Sequence, residues 1–323
     1  MSEGMIEYSV VTPVYNAERS LEELAERLTT VLSGTGKPYE IIMVDDGSRD
    51  RSWEIMQGLA GRIPEMTAVR LIQNVGQGGA TLCGIAHACG EYIVTVDDDL
   101  QFAPEDIPVL IDALAANPDV DVVMGTPERK RHAAWRRFGS CVVNRINASV
   151  FGLDDSLVLS SFRVMRRPIA QAICEIRNPR PAVGPLLCSV TTRIKNASVQ
   201  HGTRATGRSG YTLSKLVGLS ISRVVNYSTL PLRILGLIGM LGVAVSTVLG
   251  MLFFARYLIA GARVPGWTTV VLLLLGISGF NFFAFGVIGE YLLRVLQSSQ
   301  GRPQYIVRDL VGSQCTVSGM EKQ

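Results

Sequence analysis

A chain of 323 residues with a formal net charge of +3 has room for one sizeable α/β domain, and so weak a positive balance gives no footprint for nucleic acid. Its 47% hydrophobic share and mean hydropathy of +0.26 are too high for a soluble domain alone. Six cysteines without a C-x-x-C pair and three scattered histidines argue against a zinc site or a disulfide framework.

Met1–Glu7 is polar and has no hydrophobic targeting core, so the segment that follows is expected to stay in the cytoplasm. Tyr8–Thr12 reads as a strand, broken by Pro13-Val14-Tyr15-Asn16 before an amphipathic helix from about Arg19 to Leu32. Glu40–Val44 is a second strand that ends in Asp45-Asp46-Gly47-Ser48, with a helix from about Arg51 to Ile63. Thr67–Ile72 is a third strand, and Gly76 opens a Gly- and Ala-rich helix over Gln77–Cys89. Tyr92–Val96 is the fourth strand, and it runs directly into Asp97-Asp98-Asp99-Leu100-Gln101. Pro104 suits the first position of a helix reaching about Asn117, and Val120–Met124 is the fifth strand. Strands alternating with helices predict a doubly wound, Rossmann-like, mostly parallel sheet with right-handed crossovers.

After Gly125 a basic segment, Arg129 to Arg137, leads into a helix ending near Phe151. Ser160–Arg167 reads as extended, Arg193–Val199 as another strand, and Gly202–Gly210 as a loop without apolar anchors. Leu213, Leu216, Val217, Ile221, Val224 and Val225 recur at helical spacing, which suits a helix lying at a membrane interface. Ile234–Phe254 and Trp267–Gly289 are 21 and 23 residues without a charge, each long enough to cross a hydrocarbon core of about 30 Å. Lys215, Arg223, Arg233, Arg294, Arg302 and Arg308 outside this hairpin, against Arg256 and Arg263 in its turn, predict both termini in the cytoplasm. The expected organisation is a catalytic domain over residues 1–210, an interfacial helix over 211–230, a hairpin over 231–293 with spans near 234–256 and 267–289, and a tail over 294–323. The chain is therefore expected to be a multi-pass protein of the inner, cytoplasmic membrane in contact with its lipids.

Three adjacent carboxylates repel one another and are tolerable only if solvated, protonated or bound to a cation. At the carboxyl end of a buried strand, where open α/β sheets bind ligands, Asp97-x-Asp99-x-Gln101 offers oxygen ligands only, which suits Mg²⁺ or Mn²⁺. A calcium loop is excluded, because Phe102 sits where an EF-hand needs Gly and Pro108 where it needs a bidentate Glu. A lone D-x-D is most often a solvated turn, but a second acidic strand end at Asp45-Asp46 strengthens the reading of an active-site mouth. Asp45 and Asp46 can accept hydrogen bonds from a base or ribose.

Pro13-Val14-Tyr15-Asn16, Asp45-Asp46-Gly47-Ser48, Asn74-x-Gly76-Gln77-Gly78, Asp97-x-Asp99-Leu100-Gln101, Phe162-Arg163 and Arg204-x-x-Gly207-x-Ser209-x-Tyr211 together resemble the family 2 glycosyltransferases that act on polyprenyl phosphates. The catalytic half is similar to dolichyl-phosphate mannose synthase. The hairpin and the tail, with Gly289-Glu290-Tyr291 and Arg302-Pro303-Gln304-Tyr305, are similar to bacterial undecaprenyl-phosphate glucosyl- and aminoarabinosyl-type transferases. The resemblance implies a GT-A fold, a nucleotide-sugar donor that is UDP-linked, a polyprenyl phosphate acceptor, inversion at the anomeric carbon and a homo-oligomer, a tetramer in the bacterial members. It also implies roles: Asp97, Asp99 and Gln101 hold the metal, Pro13, Tyr15, Asp45, Asp46, Gln77, Asp97 and Asp98 shape the donor site, and Arg163, Arg131, Arg204 and Ser209 hold donor or acceptor phosphate. Asp97, Asp99 and Arg163 are the catalytic set.

The chain departs from the pattern at Ala17, where the family often has Glu, at Asp98, often Ala, and at Gly210, where many relatives have Lys. Two other functions fit parts of the sequence. A hydroxyl lipid such as diacylglycerol as acceptor would need a base, for which Asp98 is a candidate. A catalytically silent membrane scaffold would keep the fold, and the intact metal motif argues against it.

Overall fold

The computed structural model describes residues 6–127, 157–178, 181–199 and 303–312. Of the C-terminal segment it describes residues 235, 237–239, 241, 248, 251, 252, 255, 259 and 266–299. The chain divides into two compact units, one of residues 1–210 with 302–323 and one of residues 211–301.

The first unit is built on an eight-stranded sheet in the order β7-β5-β6-β4-β1-β2-β3-β8. The strands are β1 (Tyr8–Val14), β2 (Tyr39–Asp45), β3 (Met66–Leu71), β4 (Tyr92–Thr95), β5 (Val122–Pro127), β6 (Arg163–Arg166), β7 (Ile194–Val199) and β8 (Val307–Gly312). The pairs β1/β2, β1/β4, β2/β3 and β5/β7 are parallel. Antiparallel pairing enters at β4/β6, β5/β6 and β3/β8. The sheet is thus mixed, with the predicted parallel core at its centre.

Both faces of this core are apolar because helices cover both. Along β1 and β2 the side chains alternate. Val10, Ile41 and Met43 pack with α1 (Leu21–Gly34), α2 (Ser52–Ala60) and α4 (Ile107–Ala115). Val11, Ile42 and Val44 pack with α3 (Gln77–His87), α5 (Arg167–Glu175) and α6 (Val183–Val190). Helix α1 shows why this works: Leu21, Leu24, Ala25, Leu28 and Leu32 recur at helical spacing and are all buried.

The structure refines several elements. β1 continues through Pro13, which lies beyond Val11, the last residue paired with β4, so the missing N–H falls where that neighbour has ended. The helix expected from Pro104 begins as a 3₁₀ turn over Pro104–Asp106 before α4. The tail, to which the sequence assigns no strand, contributes β8, and Ile72 N–H extends the pairing to Ile306 O at 2.9 Å.

In the second unit α7 (Trp267–Ser299) is 33 residues long. Most of its described apolar side chains, among them Val270, Leu274, Phe285 and Leu292, are exposed. Among the described residues no helix is both long and apolar enough to cross a membrane, and the side chains of several positions in α7 lie outside the description. The expected interfacial helix over 211–230 and most of the first span also lie outside the described residues.

Candidate active site

The connections from β1 lead to β2 and β3 on one side and, later, to β4 on the other, so the carboxyl ends of β1 and β4 flank a topological switch point. Two loops that border it are laced together. Asn16 N–H donates to Ser48 Oγ at 3.0 Å, while its side-chain oxygen accepts Arg49 N–H at 2.9 Å. Ala17 N–H donates to Ser52 Oγ at 2.9 Å and Glu18 N–H to Asp50 Oδ2 at 3.2 Å. Asn16 has φ of 52°, a left-handed conformation that a short amide side chain tolerates. The motifs Pro13–Asn16 and Asp45–Ser48 therefore hold one another, which leaves Tyr15 47% exposed at the mouth.

Asp45 and Asp46 sit at the floor of this region, 0% and 2% exposed. Asp45 Oδ1 accepts Ser48 N–H at 2.9 Å, and its Oδ2 lies 3.4 Å from Arg70 Nε. Asp46 accepts the backbone N–H groups of Val75 and Gly76 at 2.7 and 2.9 Å, one on each oxygen. Burial pushes its carboxyl up and the Asp45 charge adds to this, while the two amide bonds pull down. Asp46 thereby fixes the turn into α3. Gly76 there has φ of 86°, and a Cβ on Gly78 would come within 1.9 Å of Pro181 O, so both positions require glycine.

That turn aims Gln77 at the acidic cluster. Gln77 Nε2 donates to Asp97 Oδ1 at 2.6 Å, and Ser161 Oγ donates to Asp97 Oδ2 at 2.5 Å. Asp98 Oδ2 accepts Tyr15 N–H at 3.1 Å, tying the end of β4 to the loop after β1. Asp99 Oδ1 accepts Gln101 N–H at 3.1 Å, and between them Leu100 has φ of 56°. A left-handed leucine costs about 1–2 kcal/mol, so the tight turn that presents Asp99 stores strain.

Burial raises the Asp97 carboxyl above its ordinary value. Ser161, Arg163 and Gln77 oppose the rise and the Asp99 charge adds to it. Burial likewise pushes Asp98 up to about 6, helped by Asp97 and Asp99 and opposed by the Tyr15 amide.

Arg163, the first residue of β6, pairs across to Thr95 on β4 and is 7% exposed. Its Nε donates to Ser161 O at 3.3 Å, and its Nη1 is buried without a hydrogen-bond partner. Burial lowers its pKa to about 10 against the pull of the Asp97 charge. A buried guanidinium donor left unpaired is unfavourable until an anion reaches it, which suits phosphate.

Among the described residues no group of three or more His, Cys, Asp or Glu side chains is gathered to hold a metal. Two carboxylates and an amide, Asp97, Asp99 and Gln101, nevertheless fit Mg²⁺ or Mn²⁺, since such ions bind through one or two carboxylates and complete their shell with water and substrate phosphates. Burial raises the carboxyls of Asp97 and Asp98, and a cation beside them would favour their charged forms. A cleft of about 290 Å³ opens beside the cluster, bordered by Tyr15, Arg19, Asp50, Asp98 and Asp99.

The structure thus brings together Tyr15, Gln77, Asp97, Asp98, Asp99 and Arg163, with Pro13, Asp45 and Asp46 beneath them. Arg131, Arg204 and Ser209 lie outside the described residues. Sequence reasoning missed Ser161, which lies 64 positions from Asp97; only its adjacency to Phe162-Arg163 marks it.

Residues 9–173 match the family Glycosyl transferase family 2. Over 307 residues the chain is 36% identical to an undecaprenyl-phosphate 4-deoxy-4-formamido-L-arabinose transferase of Pseudomonas paraeruginosa, covering 94% of this chain and 90% of the relative. It is 32% identical over 319 residues to the Aeromonas hydrophila transferase of the same description, covering 98% and 97%. Among solved structures, glucosyl-3-phosphoglycerate synthase from Mycobacterium tuberculosis in complex with Mn²⁺, UDP and glucosyl-3-phosphoglycerate superposes with a TM-score of 0.52 at 18% identity. That superposition covers 68% of this chain and 78% of the synthase, a likeness of fold.

Proposed function

The chain belongs to glycosyl transferase family 2 and is a glycosyltransferase of the polyprenyl-phosphate kind, and from that premise we propose that it moves a sugar from a UDP-linked donor to undecaprenyl phosphate, with inversion and with a divalent cation, at the cytoplasmic face of a membrane. The observation that carries the reading is the charge interaction of Asp97, in the acidic run Asp97–Asp99, with the buried Arg163, whose Nη1 has no hydrogen-bond partner. One site would thus offer acidic oxygens for a cation and a cationic fork for phosphate. The relatives' 4-deoxy-4-formamido-L-arabinose is the first sugar to test.

In this reading Tyr15 offers its exposed ring to the base. Asp45 and Asp46 support the donor site from below, Asp46 by fixing the turn that carries Gln77. Asp97, Asp99 and Gln101 would hold Mg²⁺ or Mn²⁺, which when bound supplies Lewis-acid stabilisation to the leaving diphosphate. Arg163 orients a phosphate oxygen through Nη1, and Arg131, Arg204 and Ser209 are proposed to complete the acceptor grip. A phosphate monoester has its second pKa near 6, so it is largely an ionised nucleophile at neutral pH and the residues need only position it. The catalytic unit is proposed to be carried on a two-span hairpin with an interfacial helix before it, and to assemble as a tetramer as the resemblance implies.

The test is transfer by the full chain in detergent, with undecaprenyl phosphate, Mn²⁺, and UDP-linked 4-deoxy-4-formamido-L-arabinose or glucose. A lipid-linked sugar that disappears with EDTA and in Asp99→Ala is expected. A folded protein that binds Mn²⁺ and the nucleotide-sugar yet labels no lipid overturns the reading in favour of a scaffold. Labelling of diacylglycerol overturns the acceptor.

A further inference from the structure

We propose that Ser161 is a positioning residue of the active site, fixing the Asp97 carboxylate for the donor-bound cation and the Arg163 guanidinium for phosphate through the two ends of one residue. Its hydroxyl donates to Asp97 Oδ2 at 2.5 Å. Its carbonyl accepts Thr95 Oγ1 at 2.6 Å and Arg163 Nε at 3.3 Å. Thr95 ends β4 and Arg163 begins β6, and the two are cross-strand partners. Ser161 therefore locks the acidic loop after β4 to the basic start of β6.

The geometry constrains what the hydroxyl can do. A carboxylate has about four lone-pair sites. Gln77 takes one on Oδ1 and Ser161 one on Oδ2, so Asp97 is gripped on both oxygens and keeps a free site on each for a ligand. The Gln77 amide comes from α3 and the Ser161 hydroxyl from the segment before β6, so the plane of the carboxylate is set from two sides. Ser161 touches no reacting atom in this arrangement and acts through Asp97 and Arg163. Its carbonyl bonds survive any side-chain change, so Ser161→Ala removes the grip on Asp97 alone.

The inference rests on the metal-and-donor reading of Asp97, and its test separates the two. Mn²⁺ affinity in the presence of UDP is measured by electron paramagnetic resonance on the full chain in detergent, beside kcat and KM for transfer and the thermal midpoint. Ser161→Ala is expected to weaken Mn²⁺ binding about tenfold, the effect of one hydrogen bond to a charged group, with a fall in the midpoint no larger than one lost hydrogen bond produces. Ser161→Thr, which keeps the hydroxyl, is expected to restore it. Equal or tighter Mn²⁺ binding by Ser161→Ala overturns the inference, as does a loss matched by a fall in the midpoint that Thr fails to restore. If the Mn²⁺ affinities behave as expected while no variant and no wild-type protein transfers sugar to lipid, the proposed reaction fails and the role of Ser161 stands.

Discussion

Asp98 receives a backbone amide from far along the chain, Tyr15 N–H, and burial pushes its carboxyl up to about 6, well above its ordinary 3.8. The folded state therefore binds this proton more tightly than the unfolded chain. The carboxyl subtracts no stability below about pH 4, subtracts progressively as pH rises through 6, and subtracts fully above it. Asp98→Asn keeps an oxygen for the Tyr15 amide and removes the charge. In EDTA it is expected to be more stable than wild type at pH 7.5 by about 1–2 kcal/mol, after discounting for partial exposure, with the gain vanishing near pH 4. Equal thermal midpoints across that range would remove the buried charge from the account. Arg163 presents the opposite case, a buried cation whose Nη1 has no partner. Arg163→Met fills similar space without a desolvated donor. It is expected to cost at most about 1 kcal/mol in denaturant melts while lowering kcat about a hundredfold or more, the scale of losing one preorganised donor. A large loss of stability with transfer intact would make Arg163 a structural residue.

At the scale of elements, β8 shows how a segment far along the chain completes the domain. It pairs antiparallel with β3, and just before it Gln304 Nε2 donates to Ile176 O at 2.5 Å after the end of α5. Tyr305 packs into the core under α3 and α5, where burial pushes its phenol up. Gln304→Ala is expected to lower stability by about 1 kcal/mol, one hydrogen bond, whereas Tyr305→Ala should cost about 3 kcal/mol or more through the cavity it leaves. Equal effects would mean that the tail is not packed as described. Strands β1 to β5 were legible because apolar β-favouring runs alternate with helical spacing, and their bounds shifted by only a few residues. β8 was not, because Val307-Arg308-Asp309-Leu310-Val311 has the mixed character of an edge and gains its identity from β3. Helix α6, eight mostly apolar residues, is too short for periodicity to distinguish from a strand. The Pro within the first turn of α5 was a readable start signal that the apparent extended run Ser160–Arg167 obscured. The acidic cluster was legible for the reason β8 was not: its residues are consecutive. The contacts that orient it, Gln77 and Ser161, come from 20 and 64 positions away and only folding reveals them.

For the whole molecule, connectivity constrains the membrane reading. The chain leaves the first unit before residue 211 and returns to it by residue 302, since β8 belongs to the same sheet as β1. A segment that starts and ends on one side of a membrane crosses it an even number of times, and in the proposed hairpin the two uncharged runs Ile234–Phe254 and Trp267–Gly289 would make two crossings. The exposed apolar side chains among the described residues, Leu237, Leu241, Val248 and Leu252 with Leu274, Phe285 and Leu292 of α7, support the proposed hairpin, because hydrocarbon accepts such groups better than water does. Helix α7, at 33 residues, is about 50 Å long, which leaves length to continue beyond a core of about 30 Å. The full chain is therefore expected to remain with membranes through a carbonate wash and to leave them only in detergent. In intact cells, a membrane-impermeant maleimide is expected to label Ala262→Cys in the turn between the runs, and to reach Cys315 in the tail only after permeabilisation. Release by carbonate would sink the hairpin. Labelling of Cys315 in intact cells, with Ala262→Cys reached only after permeabilisation, would keep the anchor and invert the side on which the sugar is transferred, taking the active site away from a cytoplasmic supply of nucleotide-sugar.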